Sequence, residues 1–271
     1  MPKVSVIMGI YNCADTLSEA IESIINQTFK DWEVIMCDDG SLDRTLEIAQ
    51  MYAQKYDNIK VYRNEKNMGL NYTLNHCLKY ITGQFVARMD GDDISLPERF
   101  EKELDFLIKH PEYAIVSCNM QYFDAQGIFM TGKAKGEPSL DSIVKRTPFC
   151  HAPCMVRREA FEGVNGYSVS DKLLRVEDWH LWIKMYAKGY KGYTLEEPLY
   201  LMRDDRNAVS RRKFKYRVNE SYVGHFAIQT LKLSKVNYIY TLRPLLVGLL
   251  PSALYNYLHK RRNNTKESVK K

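Results

Sequence analysis

The sequence lacks the features that would mark several broad classes of protein. Its 271 residues include only 14 glycines and 9 prolines, which is too few for a collagen-like or linker-rich chain. No run of about 18 uninterrupted apolar residues occurs, so we expect no simple transmembrane helix. The first residues lead into a strand pattern rather than into the apolar segment of a signal peptide. With 45% hydrophobic and 27% charged residues, the composition is that of a globular cytoplasmic protein and not of a disordered chain.

Motifs for common metal and nucleotide sites are also missing. None of the six cysteines belongs to a C-x-x-C pair, which favours reduced and buried thiols. Cys150, His151 and Cys154 have a faint likeness to zinc ligands, but no second ligand pair follows, and we interpret both cysteines as core residues. Neither G-x-G-x-x-G nor G-x-x-x-x-G-K-[ST] is present, so neither a dinucleotide-binding motif nor a P-loop is supported.

Positive charge is concentrated towards the C-terminus. The net charge is +6, yet residues 203–271 carry 16 Lys and Arg against 4 Asp and Glu. Residues 1–202 carry the remaining 23 and 29, so the body is acidic and the C-terminal part is basic. A basic end can bind anionic lipid, nucleic acid or phosphate-bearing ligands, and it can equally be an ordinary solvated surface.

Strand and helix patterns alternate through the first part of the chain. Short apolar runs at 4–10, 33–37, 59–62 and 85–89 are typical of buried strands, and amphipathic helical spacing separates them. The alternation predicts an α/β fold with right-handed βαβ units and a parallel sheet. Ligands of such sheets bind at the carboxyl ends of the strands. Two acidic clusters follow strand runs there: Asp38 and Asp39, and Asp90, Asp92 and Asp93.

Both acidic clusters suit the binding of a charged or polar ligand. In Asp90-Gly91-Asp92, two carboxylates separated by a glycine without side-chain bulk can face a divalent ion from one loop. Mg²⁺ and Mn²⁺ prefer a few carboxylates together with phosphate oxygens of a substrate. Asp38-Asp39-Gly40-Ser41 suits an acceptor for a base N–H or a ribose hydroxyl. The alternatives are a helix cap before Pro97 for the first cluster and a turn with a helix cap for the second.

Five motifs occur in a fixed order: Val4-Ser5-Val6-Ile7-Met8-Gly9-Ile10-Tyr11-Asn12, Ser23-Ile24-Ile25-Asn26-Gln27-Thr28-Phe29, Asp38-Asp39-Gly40-Ser41, Asn67-Met68-Gly69-Leu70 and Met89-Asp90-Gly91-Asp92-Asp93. Together they resemble family 2 glycosyltransferases of the bacterial polysaccharide-biosynthesis type, which have the GT-A fold. The resemblance is strong over residues 3–117 and looser to about residue 210. It implies a GT-A domain at 1–210, with a Rossmann-like nucleotide-sugar-binding half at 1–117 on a mixed sheet and an acceptor half at 118–210. C-terminal helices with an amphipathic basic tail follow at 211–271.

The resemblance implies a donor site for a UDP-sugar. Its residues are Ile10, Tyr11, Asp39, Asp90, Gly91 and Asp92. Tyr11 is expected to lie against the uracil ring, and Asp39 to accept its N–H. Asp90 is expected to bind the ribose side of the nucleotide. Asp92 is the expected ligand of a Mn²⁺ or Mg²⁺ ion that bridges the diphosphate.

The resemblance also implies an acceptor site and a base. Asp178 is expected to be the general base that deprotonates the acceptor hydroxyl. Glu177 and Trp179 are expected to shape the acceptor site, and His151 lies in a segment that the family places near the acceptor. For His151 a structural role is the equal alternative. One base with no obvious nucleophile fits single displacement with inversion.

Two departures from the family pattern bear on the reaction. The Q-x-x-R-W segment of processive members is absent, so we expect a single addition rather than polymerisation. The position where many members have a metal-binding His is Asp205 here, which leaves a third metal ligand in doubt. Four nearby arginines are candidates for phosphate contacts by charge-assisted hydrogen bonds, or for plain surface charges: Arg203, Arg206, Arg211 and Arg212.

The C-terminal segment is apolar and then basic. Residues 238–258 are mostly apolar, are interrupted at Arg243-Pro244 and at Pro251, and precede His259-Lys260-Arg261-Arg262. Tyrosine-rich flanks and a basic cluster suit a helix in the membrane interface. We therefore expect a cytoplasmic protein, peripheral on the inner face of the cell membrane. The alternative is that this segment packs on the protein's own core or on a second subunit, as in a homodimer.

Other functions fit the residues less well. A polyprenyl-phosphate sugar synthase would have a clearer membrane-anchoring arrangement, and a non-catalytic nucleotide-sugar or glycan binder would not need Asp92 and Asp178. A nucleic-acid binder would present aromatic residues interleaved with basic ones on a sheet face, and we find no such motif on a predicted strand. The expected partners are therefore a UDP-sugar donor, a glycan or lipid-linked saccharide acceptor and a membrane surface.

Overall fold

The structure is a computed structural model, which describes residues 2–204 and 213–249. Its strands are β1 Val4–Ile10, β2 Trp32–Asp38, β3 Ile59–Arg63, β4 Phe85–Arg88, β5 Ile94–Ser95, β6 Tyr113–Asp124, β7 Gly127–Thr131, β8 Met155–Arg157 and β9 Lys191–Arg203. Its helices are α1 Ala14–Ile25, α2 Thr45–Lys55, α3 Leu70–Leu78, α4 Arg99–Lys109, α5 Leu140–Ile143, α6 Arg158–Gly163, α7 Glu177–Ala187, α8 Phe214–Thr230 and α9 Tyr238–Gly248.

The first half of the sheet is parallel, as the alternating pattern predicts. Its strand order is β3-β2-β1-β4, and β1 pairs in parallel with both β2 and β4. Side chains of β1 alternate between two cores: Val6 and Met8 pack with α1, whereas Ile7 packs with α3. Because both faces are covered by helices, the strands are apolar almost throughout. The carboxyl ends of β1, β2 and β4 therefore meet at one edge.

The second half of the sheet makes it mixed. β8 lies between β4 and β6 and is antiparallel to both, whereas β6 and β9 pair in parallel. The hairpin expected around residues 121–131 is present as β6 and β7. The strands β5, β8 and β9 were not predicted. β8 is only three residues long, and the register of β9 is set by β6 rather than by local sequence.

A buried arginine of α4 ties β4 to the loop before β8. The Arg99 guanidinium donates hydrogen bonds to the carbonyl oxygens of Arg88, Ala152 and Cys154. It also pairs with Glu103 at 3.1 Å, and both side chains are fully buried. Burial raises the pKa of Glu103 to about 7, although the charge of Arg99 opposes the shift. Arg99 thus fixes the backbone on both sides of the strand end that carries the acidic loop.

The C-terminal helices pack on the body through α7. α8 lies against α7, and α9 lies against α8. The helix α9 continues through Pro244, and close packing on α8 supports it on both sides of that residue. A Cβ atom on Gly224 would lie 3.0 Å from Thr241, which shows how closely the two helices approach. The remaining features expected at 250–271 lie outside the described residues.

Membrane crossing was tested on the helices within residues 2–204 and 213–249. None of them combines the length and the apolar character that spanning a bilayer requires.

We predict that Arg99→Leu lowers the free energy of unfolding by about 3–5 kcal/mol, because it leaves Glu103 buried without its partner. Urea denaturation monitored by circular dichroism measures the change. Arg158→Leu is the matched control, since Arg158 and Glu162 form an ion pair of the same type at the surface, and its cost should be about 0.5 kcal/mol or less. Equal losses in the two variants would contradict a structural role for the buried pair.

Candidate active site

The candidate site lies at the edge of the sheet where β1, β2 and β4 end. Three loops meet there, and Asp178 in the first turn of α7 interacts electrostatically with Arg88 at the end of β4. The backbone N–H of Asp39 donates to the Ile10 carbonyl at 2.9 Å, which joins the first two loops. The sheet therefore brings together residues that are more than a hundred positions apart in sequence.

Asp39 is a buried carboxylate that organises the loop before α3. One oxygen accepts hydrogen bonds from the Asn64 side-chain amide and from the Met68 backbone N–H, each at 2.8 Å. The other accepts from the Gly69 backbone N–H at 2.9 Å. A carboxylate has about four acceptor positions, so one more N–H can be accommodated. These three hydrogen bonds reach residues 25 to 30 positions away, so they are not those of a local turn or helix cap. They hold the loop before α3 and leave one acceptor position of Asp39 for a ligand.

Asp38 has a different role from its neighbour. Its side chain is fully buried, accepts a hydrogen bond from the Ser41 backbone N–H and lies 3.4 Å from the Arg63 guanidinium. It is therefore satisfied within the protein, and Asp39 is the member of the pair with remaining capacity.

Tyr11 is exposed, and hydrogen bonds of the next residue hold the loop that carries it. Its ring is 44% accessible, whereas the Ile10 side chain is 1% accessible and buried in the core. The next residue, Asn12, has a positive φ of 48°. It donates its N–H to Ser41 Oγ at 3.0 Å and accepts from the Leu42 N–H at 2.9 Å. Tyr11 and Ile10 are both predicted to contact the nucleotide, but only Tyr11 has an exposed side chain. A contact from Ile10 would have to come from its backbone, since its side chain is buried.

The acidic loop after β4 gathers three carboxylates. Oxygens of Asp90, Asp92 and Asp93 all lie within 4.8 Å of one another. Asp90 is paired with the Arg88 guanidinium, and Asp93 accepts the Arg203 backbone N–H at 2.8 Å. Asp92 is the exposed member of the three. The helix cap considered from the sequence is not formed, since Glu98 is the residue before α4.

The proximity of these groups changes their acidity. Burial, followed by the charges of Asp90 and Asp92, raises the pKa of Asp93 to about 7. Desolvation and the charge of Asp90 raise the pKa of Asp92, and the charges of Arg88 and Arg203 oppose that shift. Three carboxyl groups this close repel one another when ionised. The loop is therefore an electrostatically unfavourable arrangement that a cation relieves.

The donor atoms fit a hard divalent cation. Mg²⁺ and Mn²⁺ take oxygen ligands, usually one or two carboxylates completed by substrate phosphate and water. Asp92 is exposed and can serve as such a ligand, while Asp90 is available if its pair with Arg88 opens. Within the described part of the chain no other group of three His, Cys, Asp or Glu side chains is gathered in this way. The side chains of Cys150, His151 and Cys154 are not gathered in this way.

Gly91 is required by packing against the loop after β1. A Cβ atom there would lie 2.7 Å from Cys13 Sγ. The Thr16 hydroxyl donates to the Gly91 carbonyl at 2.9 Å. The glycine thus lets the acidic loop approach α1, because any larger side chain there would clash with Cys13.

Arg203 supports the acidic loop. Its Nε donates to the Asp92 carbonyl at 2.9 Å, its guanidinium stacks on Phe123, and it forms an ion pair with Glu19. Arg203 is therefore engaged by the protein rather than a plain surface charge, and a contact with phosphate stays a prediction. The other candidates of this tract, Asp205, Arg206, Arg211 and Arg212, lie outside the described residues.

Asp178 lies in the first turn of α7 and is half-buried. Its Oδ2 accepts a hydrogen bond from Thr147 Oγ1 at 3.1 Å. Burial and the charge of Glu177 raise its pKa to about 6, and the Thr147 hydrogen bond and the charge of Arg88 counteract the shift. Such a carboxyl group is ionised at neutral pH yet remains basic enough to accept a proton.

The buried guanidinium of Arg88 links the acidic loop to Asp178. Arg88 is 6% exposed, and its charge acts on both Asp92 and Asp178. Conversely, Asp178 and Asp90 both act on the thiol of Cys150, whose pKa burial raises to about 12. Asp90 and Asp178 therefore face one region of the protein around Arg88 and Cys150.

His151 and Trp179 lie beneath this region and are buried. His151 Nε2 is 2.7 Å from the Tyr167 hydroxyl, and burial and the charge of Arg88 lower the pKa of its imidazole well below the usual range. Trp179 donates its indole N–H to the Ile143 carbonyl at 2.6 Å and packs in the core with α8. Both have evident structural roles, and direct contact with an acceptor stays a prediction.

Sequence reasoning missed three supporting residues: Asn64, Arg88 and Thr147. Arg88 was detectable in principle, because it is a charged side chain within the buried run Phe85-Val86-Ala87-Arg88-Met89. Asn64 and Thr147 lie in loops, and only the fold brings them to Asp39 and Asp178.

Comparisons with known sequences identify relatives along the whole chain. A model of glycosyl transferase family 2 matches residues 5–164. The putative glycosyltransferase EpsE of Bacillus subtilis is 44% identical over 272 residues, which cover 100% of this chain and 98% of that protein. The Escherichia coli UDP-Gal:alpha-D-GlcNAc-diphosphoundecaprenol beta-1,3-galactosyltransferase is 33% identical over 268 residues, which cover 96% of each chain.

Solved structures with the same fold include two proteins in complex with nucleotide sugars. S. aureus TarS 1–349 with UDP-GlcNAc superposes with a TM-score of 0.69 at 22% identity, covering 91% of this chain and 71% of that one. The mannosyltransferase PcManGT of Pyrobaculum calidifontis with GDP-Man and Mn²⁺ gives 0.61 at 20% identity, covering 96% and 80%. At these identities the likeness concerns the fold, and the GT-A architecture expected from the sequence is confirmed.

Proposed function

We propose that this chain, which belongs to glycosyl transferase family 2, transfers a sugar from a UDP-sugar to a hydroxyl group of a glycan or lipid-linked saccharide. The observation that supports the proposal is that two kinds of carboxylate both interact with the buried Arg88 guanidinium. Asp92 belongs to an acidic loop whose mutual repulsion a cation would relieve. Asp178 is a half-buried carboxyl group with a raised pKa, and the charge of Arg88 acts on it as well.

The donor binds at the ends of β1 and β2. Tyr11 presents an exposed ring on a fixed loop and would stack on the uracil, while Asp39 keeps one acceptor position for the uracil N–H. A UDP-sugar is favoured because the Escherichia coli relative is named as a UDP-Gal enzyme and TarS was solved with UDP-GlcNAc. Asp90 would bind the ribose side of the nucleotide.

A divalent cation completes the donor site. Asp92 would hold Mn²⁺ or Mg²⁺, with Asp90 as a second candidate ligand, and PcManGT was solved with Mn²⁺. When bound, the ion supplies positive charge that stabilises the departing diphosphate. Arg203 and Gly91 keep the loop in place through their backbone contacts.

Asp178 acts as the general base. The acceptor oxygen attacks the anomeric carbon, the bond from that carbon to the diphosphate breaks, and the hydroxyl proton passes to Asp178. Thr147 orients the carboxylate, and Glu177 and the buried Trp179 and His151 form the surrounding wall. One displacement of this kind inverts the anomeric configuration.

The acceptor and the place of the reaction follow from the relatives. The Escherichia coli relative is named for transfer to a diphosphoundecaprenol-linked sugar. We infer a comparable lipid-linked acceptor, used in the assembly of a capsule, O-antigen or similar surface polysaccharide. The reaction would then take place once per acceptor, on the cytoplasmic side of the cell membrane.

Substitution of the two carboxylates should separate donor binding from chemistry. Asp178→Asn should lower kcat by about 10²- to 10⁴-fold, because the base is lost, and leave UDP affinity unchanged. Asp92→Ala should weaken UDP binding in the presence of Mn²⁺ and have little effect without it. Turnover of a panel of UDP-sugars and calorimetry with UDP, each with and without Mn²⁺, measure both effects.

Asp57→Asn serves as the control for these substitutions. Asp57 is exposed and lies just before β3, at the end of the parallel sheet opposite to the one where β1, β2 and β4 end. It should leave turnover and UDP binding as in the parent protein. Full turnover by both Asp92→Ala and Asp178→Asn would refute the proposed function.

The pH dependence should follow the ionisation of Asp178. Because the base works only as a carboxylate and its pKa is about 6, kcat/KM should fall about tenfold per pH unit below that value. Thr147→Val removes a hydrogen bond that stabilises the charged form, so the acid limb should move to higher pH. Thr147→Ser keeps a hydroxyl group and should restore the limb, and an unmoved limb in Thr147→Val would argue against Asp178 as the base.

A further inference from the structure

One face of α9 is apolar and exposed. It is formed by Val236, Ile239, Leu242, Leu246 and Leu249. The opposite side of the same helix contacts α8: Thr241 is 2% exposed, and a Cβ atom on Gly248 would lie 2.8 Å from the Phe214 ring. Thus one side of α9 packs against α8, and the other side is not covered by any of the described residues.

The spacing of the last four of these residues makes the exposed face continuous. Ile239, Leu242, Leu246 and Leu249 follow one another at intervals of three or four positions, which places them on one side of a helix. Their exposed fractions range from 51% for Leu242 to 71% for Leu249. Monomeric soluble proteins seldom present large apolar side chains in such a contiguous patch, and those that do usually bind something there.

Positive charge borders the α9 face. Lys235 and Arg243 are exposed on its edges, and Lys145 Nζ lies over the Tyr240 ring at 4.3 Å. Residues 213–249 contain six Lys and Arg and one acidic residue, Glu220. The sequence then continues through an apolar stretch to residues 259–271, which contain six more Lys and Arg and only Glu267.

We propose that the α9 face docks on an anionic lipid bilayer. An amphipathic helix with a basic border lies in the membrane interface, where its apolar side chains enter the acyl boundary and its cations meet lipid phosphates. A second copy of the chain would bring two strongly basic surfaces together, so repulsion disfavours a dimer through this face. The charge complementarity therefore selects anionic lipid as the partner.

The docking face is joined to the elements that carry the candidate base. Asn219 of α8 donates to the Leu174 carbonyl at 3.0 Å, three residues before α7 begins. Lys145, which contacts Tyr240, is two residues from Thr147, the partner of Asp178. A docked α9 would hold the acceptor side of the site beside the bilayer, and this step alone rests on the proposed function.

Vesicle co-sedimentation of the full chain tests the docking. Phosphatidylcholine vesicles with and without about 30% phosphatidylglycerol provide the two surfaces, since anionic headgroups supply the electrostatic attraction. The double variant L242Q/L246Q removes two side chains from the centre of the face. The matched control is I108Q/I128Q, because both isoleucines are exposed to a similar extent on α4 and β7.

The parent chain and I108Q/I128Q should sediment with the anionic vesicles only, and added salt should weaken the binding. L242Q/L246Q should bind at least tenfold more weakly, while its thermal unfolding and its hydrolysis of a UDP-sugar match the parent. Failure of the parent to bind, or equal binding by L242Q/L246Q, would overturn the proposal. So would a parent dimer that L242Q/L246Q dissociates. Loss of hydrolysis by every protein, the parent included, would count against the proposed function and leave the docking result standing.

Discussion

The site depends on one buried positive charge, the guanidinium of Arg88. Carboxylates that crowd together in a partly desolvated site repel one another, and each tends to hold its proton. Arg88 pairs with Asp90, and its charge opposes the rise in pKa that burial and neighbouring carboxylates cause at both Asp92 and Asp178. A fixed cation at this point therefore favours the ionised form of carboxylates in the acidic loop and in α7. Arg99, buried on the next helix, holds the Arg88 backbone.

The rest of the molecule positions groups around that charge. The parallel half of the sheet brings Tyr11, Asp39 and the acidic loop to one edge. β8 attaches the second half, whose Asp178 interacts electrostatically with Arg88. Side-chain contacts to backbone then fix each loop, as Asp39 does for Met68 and Gly69. Rigid loops suit a donor site, because the groups that bind the nucleotide are in place before it arrives. The same architecture extends through α7 and α8 to the exposed face of α9.

The sequence predicts those features whose pattern lies in contiguous residues, and it does not predict contacts that form only in the folded chain. Strands β1 to β4 and the acidic turns after β2 and β4 are written in contiguous residues, and their motifs carry the family resemblance. The partners of Asp39 and Asp178 were not predictable, since Asn64 and Thr147 reach them only through the fold. The contact of Arg203 with the Asp92 carbonyl was not predictable either, because it spans 111 positions. At Pro244, tertiary packing on α8 outweighs a local helix-breaking preference.

The most direct test of this account is a crystal structure of the full chain with UDP and Mn²⁺. We predict the uracil against Tyr11 and Asp39, the metal and the diphosphate at Asp92, and the Asp178 carboxylate facing the open end of the diphosphate. A nucleotide bound away from the ends of β1, β2 and β4 would contradict the account. So would a nucleotide at that edge with Asp178 turned towards another side of the molecule.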